Sequence, residues 1–259
     1  MTVPERPSGV LLDKAASVPP SPIEALVAPS GSILVIAPHP DDETLGCGAA
    51  ITAALECGRD VTIALMTDGD ASHPASARYP AERLAALRRS EFEAAVARLR
   101  PPGSAGTLRT LPFGLPDTRL AEAVADGFVL DRLSKFLDEA DCASIWSTWR
   151  FDPHCDHHAA ADIADRLAQH MGQRLHTHYA YAVWGRFGDA ASLLRSEHIR
   201  RFALDRWQPQ KLEAMACYRS QLTPLITDDP DGFVMPSSLV DHFGTFDEIF
   251  IERDGAARK

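Results

Sequence analysis

Asparagine is absent from the chain. That excludes N-linked glycosylation, which needs an Asn acceptor, and any catalytic site built on an asparagine side chain. Lysine is scarce: Lys14, Lys135, Lys211 and Lys259 are the four among 26 basic residues. Against them stand 36 acids, for a formal net charge of -10 over 259 residues. Such a balance argues against a nucleic-acid partner, whose phosphates call for a basic surface. No CxxC pair occurs among Cys47, Cys57, Cys142, Cys155 and Cys217. An odd, unpaired set of this kind is expected to be reduced thiols rather than a disulfide frame. No apolar run approaches the roughly 20 residues of a membrane span, and residues 1–29 lack the apolar centre of a signal peptide. The cytoplasm is therefore the expected home. Internal repeats and low-complexity tracts are also missing.

The composition that remains, 45% apolar and 24% charged, is ordinary for a soluble globular protein. Residues 1–30, with prolines at 4, 7, 19, 20, 22 and 29, read as an irregular N-terminal arm, and 31–259 as one domain. The apolar runs at 33–36 and 61–67, the weaker segment 107–111, the short segment 144–148 and the alternating segment 176–184 read as strands. Between them, 44–56, 80–99, 120–137 and 157–170 carry helical spacing, with Gly127 an awkward interruption of the third. The last third reads less clearly: a strand at 199–207, a helix at 208–221 and a final strand at 246–252. Strands alternating with helices predict an α/β, Rossmann-like fold with a mostly parallel sheet flanked by helices. Ligands in such sheets bind at the carboxyl ends of the strands.

Two of those ends carry chemistry. The run Ile33-Leu34-Val35-Ile36 is apolar at every position, the pattern of a strand buried on both faces. It stops at Ala37-Pro38-His39-Pro40-Asp41-Asp42-Glu43. The strand at 144–148 is followed by Asp152-Pro153-His154-Cys155-Asp156-His157-His158. Either motif alone is explained by acids at a helix start, where the helix dipole favours them. Both together, each after a buried strand, are hard to explain as solvated turns. Side by side they supply His39, Asp42 and one of His154, His157 or His158. Two histidines and a carboxylate leave a coordination position open, as catalytic zinc sites do. Asp41 adjoins the ligand Asp42 and is the natural base for a metal-bound water. Cys155 is expected to be a passive thiol, and His176 and His178 to be hydrogen-bonded histidines rather than a second metal pair.

These residues resemble the two signature motifs of the PIG-L/LmbE-like family of zinc-dependent deacetylases, which remove acetyl groups from N-acetylglucosamine-type sugars. The first motif matches almost letter for letter; the second has Cys155 where the family often has proline. Thr67-Asp68-Gly69, Arg88 with Glu91, Leu115-Pro116-Asp117, and Lys211 with Ser220-Gln221 are similar to further family features. The likeness covers about residues 32–222 and extends toward 252.

The resemblance implies that His39, Asp42 and His157 hold one zinc ion, with iron(II) an alternative that the same ligands could take. It implies Asp41 as general base, and His154 as the group that steadies the oxyanion or protonates the leaving amine. Asp156 would orient His154, and Arg88 and Asp117 would contact sugar hydroxyls. One departure stands out: some members carry a tyrosine where this chain has Asp152. The implied substrate is a small amino-sugar conjugate, with its selecting loops expected at 69–80 and 185–198. Homo-oligomerisation is left open. A metal-dependent phosphoesterase, or a catalytically silent sugar-binding protein, are the competing readings.

Overall fold

The computed structural model describes residues 7–125, 127–188 and 198–253. Seven strands form one sheet: β1 (Ser32–Ala37), β2 (Val61–Thr67), β3 (Leu108–Leu115), β4 (Cys142–Thr148), β5 (Thr177–Tyr181), β6 (Ile199–Phe202) and β7 (Glu248–Glu252). Their order is β3-β2-β1-β4-β5-β7-β6. The first five are parallel, and β7 joins antiparallel to both β5 and β6. The α/β, mostly parallel expectation is met. The helices are α1 (Val10–Ala16), α2 (Asp42–Glu56), α3 (Ala81–Leu99), α4 (Leu120–Ala123), α5 (Phe128–Glu139), α6 (Cys155–Met171), α7 (Gln208–Met215), α8 (Arg219–Leu222) and α9 (Ser237–Thr245). Among the described residues, no helix is long and apolar enough to cross a membrane.

The unbroken apolar run of β1 now has its reason. Ile33, Val35 and Ala37 enter one core, with α2 and α3, while Leu34 and Ile36 enter the other, with α5 and α6. β2 divides its side chains likewise, Val61, Ile63 and Leu65 to the first and Ala64 and Met66 to the second. A strand covered on both faces cannot alternate with polar residues. β1 pairs with β2 on one side and β4 on the other. The strand order reverses there, so a crevice opens above the ends of β1 and β4, the usual ligand site of such sheets.

Several expected boundaries differ. Helix 120–137 is two helices, because Gly127 takes a left-handed φ of 84° and restarts the chain as the N-cap of α5. Helix 208–221 is broken after Met215, with Tyr218 capping α8. The strand expected at 199–207 stops at Phe202, and α9 was not foreseen. The expected irregular arm contains α1, whose Leu11, Leu12 and Ala15 pack with Trp149, Ala180 and Ile249 in a third apolar cluster. α2 is interrupted at Cys47, where φ -148° and ψ 22° leave the helical range. Glu248 accepts from Ala49 N (2.7 Å) and Ala50 N (2.9 Å) beyond the break, and Lys211 Nζ donates to Leu45 O (2.9 Å) before it. Lys211 and Glu248 are buried and paired at 2.6 Å.

Candidate active site

The turn after β1 is held from two sides. Thr67 donates its backbone N–H and its hydroxyl to Pro38 O, at 3.0 and 2.9 Å. Arg88, buried on α3, donates to Pro40 O (2.7 Å) and Gly69 O (2.7 Å), and reaches Asp41 Oδ2 at 3.3 Å. Asp41 has φ 120° and ψ -30°, a region that side-chain-bearing residues rarely adopt and that costs about 1–3 kcal/mol. The clamp on both sides of the peptide maintains it. Gly69 has φ 67°, and a Cβ there would overlap the Arg88 guanidinium.

Asp42 opens α2 and meets both histidines. Its Oδ2 accepts from His39 N (2.9 Å) and lies 3.2 Å from His39 Nδ1; its Oδ1 lies 3.3 Å from His157 Nε2. The other face of His157 is fixed by Asp152 Oδ2, 2.8 Å from Nδ1. His39 Nε2 sits between Asp156 Oδ2 (3.1 Å) and Asp117 Oδ1 (3.2 Å). His39, His154 and His157 each bring a ligating nitrogen within 4.8 Å of the others. Every expected site residue is thus gathered here, at the tips of β1 and β4.

One orientation differs from expectation. The Asp156 carboxylate faces His39 rather than His154, because Thr118 N (2.8 Å) and Leu120 N (3.1 Å) draw it to the turn before α4. Only the Asp156 backbone N–H reaches His154, at Nδ1 (3.2 Å). Asp152 is fully buried and does not border the cavity, so it stands apart from any tyrosine-like contact with substrate. Its carboxylate instead accepts from the backbone of residues 183–185. Nothing in the Asp152-Pro153 pair, which reads as a turn, advertises that task.

The local electrostatics follow from burial and neighbours. Burial raises Asp41 to about 8, with Arg88 opposing and Asp42 and Glu43 adding to the rise. Burial would also raise Asp42, but His157 and His39 outweigh it and hold it below the usual carboxylate range. For His157, burial disfavours the charged ring, yet Asp42 and Asp152 lift it to about 9. His39 is raised in the same way by Asp117, Asp156 and Asp42 against burial. His154 goes the other way, lowered to about 4 by burial and by the neighbouring histidines.

A metal fits these residues. His157 Nε2 is buried without a hydrogen-bond partner among the described residues, facing a carboxylate oxygen. Two histidines and one acid converging in this way are a donor set for zinc or iron(II).

Around the site lies a cavity of about 500 Å³. Its floor is His39, Asp41, Asp42, Arg88, Asp117 and His154. The facing wall combines Ser72 and Pro74 with Trp184, Gln221, Phe233 and Val234. The first expected selecting loop, 69–80, is therefore at the cavity. Of the second, residues 189–197 lie outside the described residues, and 231–234 occupy the rim in place of its described part. The signal for that rim was the cluster Asp228-Asp229-Pro230-Asp231-Gly232, a plain turn former.

The cluster over the strand ends of this doubly wound sheet is a set of histidines and carboxylates that could hold a metal ion. The family model described as PIG-L, GlcNAc-PI de-N-acetylase, matches residues 34–168. The chain belongs to this family of de-N-acetylases, and the deacetylase class expected from its motifs follows. Curated proteins yield no match. Solved structures share the fold. N,N'-diacetylchitobiose deacetylase from Pyrococcus horikoshii has a TM-score of 0.66 at 18% identity, covering 95% of this chain and 91% of its own. The zinc-inhibited form of teicoplanin deacetylase Orf2 has 0.59 at 19%, covering 86% and 99%. The 4-carboxy-2-hydroxymuconate hydratase GalB from Pseudomonas putida has 0.57 at 19%, covering 74% and 80%.

Proposed function

We propose that this protein is a zinc-dependent hydrolase that removes the acetyl group from the amine of an N-acetylglucosamine-type sugar on a small carrier. The observation that carries the reading is Asp42, whose two oxygens face His39 Nδ1 and the unpartnered His157 Nε2 at 3.2 and 3.3 Å. His39, Asp42 and His157 would hold the metal. When bound, it would supply a Lewis acid for the acetyl carbonyl and a more acidic water.

The remaining chemistry belongs to the chain. Asp41 borders the cavity next to Asp42 and is assigned the proton of the attacking water. His154 accepts the Asp156 N–H at Nδ1, so its own proton sits on Nε2. Its lowered pKa keeps it neutral. In that state it serves as a hydrogen-bond donor to the developing oxyanion, and the proton that Asp41 takes from water passes to the departing amine as the C–N bond breaks. Asp156 and Asp117 fix the His39 ring, and Arg88 secures the turn that carries Asp41. Asp117 and Arg88 border the cavity and are assigned to the sugar hydroxyls. All five cysteines are unpaired, which fits a reducing, cytoplasmic setting.

The test is acetate release from a panel of N-acetylhexosaminides, with metal content measured on the protein as isolated. Release that needs the metal and is lost in Asp41→Asn supports the reading. Zinc-loaded protein that frees no acetate, yet hydrolyses an aryl phosphate, would replace it with the phosphoesterase.

A further inference from the structure

Asp152 is fully buried, and its carboxylate is shared between a ring and a turn. Oδ2 lies 2.8 Å from His157 Nδ1 and accepts from Val183 N (3.1 Å) and Trp184 N (3.3 Å), while Oδ1 accepts from Gly185 N. Three successive backbone N–H groups form a concave anion cradle and supply the donors a buried carboxylate needs. We propose that Asp152 is a positioning residue that sets His157 for the metal and ties the substrate wall to it. The inference rests on the reading of His157 as a metal ligand.

A neutral imidazole carries one N–H, and its place is set by the partner of the other nitrogen. A carboxylate at Nδ1 holds a proton there, so the proton that His157 gives up on binding a metal is the one on Nε2. That nitrogen is the buried atom facing Asp42 at 3.3 Å without a hydrogen-bond partner among the described residues. The cradle needs its glycine: a Cβ at residue 185 would overlap Asp152 Oδ1 and come within 2.6 Å of Trp149 Cε3. The middle residue of the cradle, Trp184, lines the cavity. One carboxylate therefore sets both the ring that would meet the metal and the backbone that presents an aromatic wall to the substrate.

The experiment is zinc affinity by chelator competition on wild type, Asp152→Asn and Gly185→Ala. Asp152→Asn keeps the size and removes the charge; Gly185→Ala keeps the charge and crowds it. Both are expected to weaken zinc binding about 10- to 100-fold and to raise KM through Trp184. A carboxylate that only caps the turn would lower Tm and raise KM with zinc affinity unchanged, which overturns the proposal while leaving the metal reading intact. Wild type that binds no zinc overturns both. Where a variant fails to fold, nitrogen-15 NMR of zinc-loaded wild type decides. A proton on His157 Nδ1 with zinc at Nε2 supports the assignment, and the reverse arrangement ends it.

Discussion

Lys211→Met is the sharpest stability test of how the first motif is mounted. The substitution leaves Glu248 charged in a fully buried place and removes the donor to Leu45 O. Breaking a buried ion pair on one side costs about 3–5 kcal/mol, a large share of the roughly 5–15 kcal/mol that stabilises a domain. The double variant Lys211→Met/Glu248→Leu discriminates further. Replacing both members of a buried pair with apolar groups is often neutral. Here the pair also serves the broken helix, so the double leaves Ala49 N–H, Ala50 N–H and Leu45 C=O without these partners. At about 1–3 kcal/mol for each unsatisfied buried group, the double is expected to stay at least ~3 kcal/mol below wild type. Urea unfolding followed by circular dichroism, with m-values compared, measures it. A double variant as stable as wild type would refute the idea that the pair completes the hydrogen bonding of α2.

Other outcomes follow from the site and its surroundings. Asp41→Asn is expected to cut acetate release by at least ~100-fold while zinc binding, read by chelator competition, stays within a factor of about two; loss of both would show that Asp41 is a ligand. Gly69→Ala combines a φ of 67° with overlap of the Arg88 guanidinium. It is expected to lower stability by more than ~1 kcal/mol and to reduce kcat, since Arg88 clamps the turn of Asp41. His178 is buried, neither nitrogen has a hydrogen-bond partner among the described residues, and burial lowers it to about 4 against the Asp165 carboxylate 3.9 Å from Nε2. The folded state then binds fewer protons than the unfolded state, whose histidine titrates near 6.5. Stability is complete above that pH and lost as pH falls toward 4, by at most ~3 kcal/mol. His178→Phe should flatten that part of the urea midpoint-against-pH curve; an unchanged slope would refute it.

What was legible in the chain was whatever depended on local pattern. The short, continuously apolar run of β1 reads as a strand buried on both faces, and the polar motifs that follow β1 and the short strand β4 were readable as segments. His39, Asp42 and His157 came together because those two strands are neighbours. Roles set by distant contacts were not readable. The Asp156 carboxylate turned to His39 because two N–H groups of another turn captured it. Asp152 acquired its partners 31 to 33 residues downstream. His178 was expected to be hydrogen-bonded, and its strand pattern held no sign that neither nitrogen would find a hydrogen bond among the described residues. The ends of α5 and α8 depended on single residues, Gly127 and Tyr218, that periodicity does not weigh.

The cavity wall has a consequence for any attempt to change what enters it. Residues 72–78 are sewn to 228–233 from across the chain. Ala75 N donates to Asp229 (2.8 Å), Ser76 Oγ and Arg78 N to Asp228 (2.8 Å each), and Phe233 N to Ser72 O (2.8 Å). This part of the cavity lining is therefore a stitched pair of segments. Grafting one loop from another enzyme would sever the stitches and leave its partner without a mate. A swap of specificity has to transplant both segments as a single cassette.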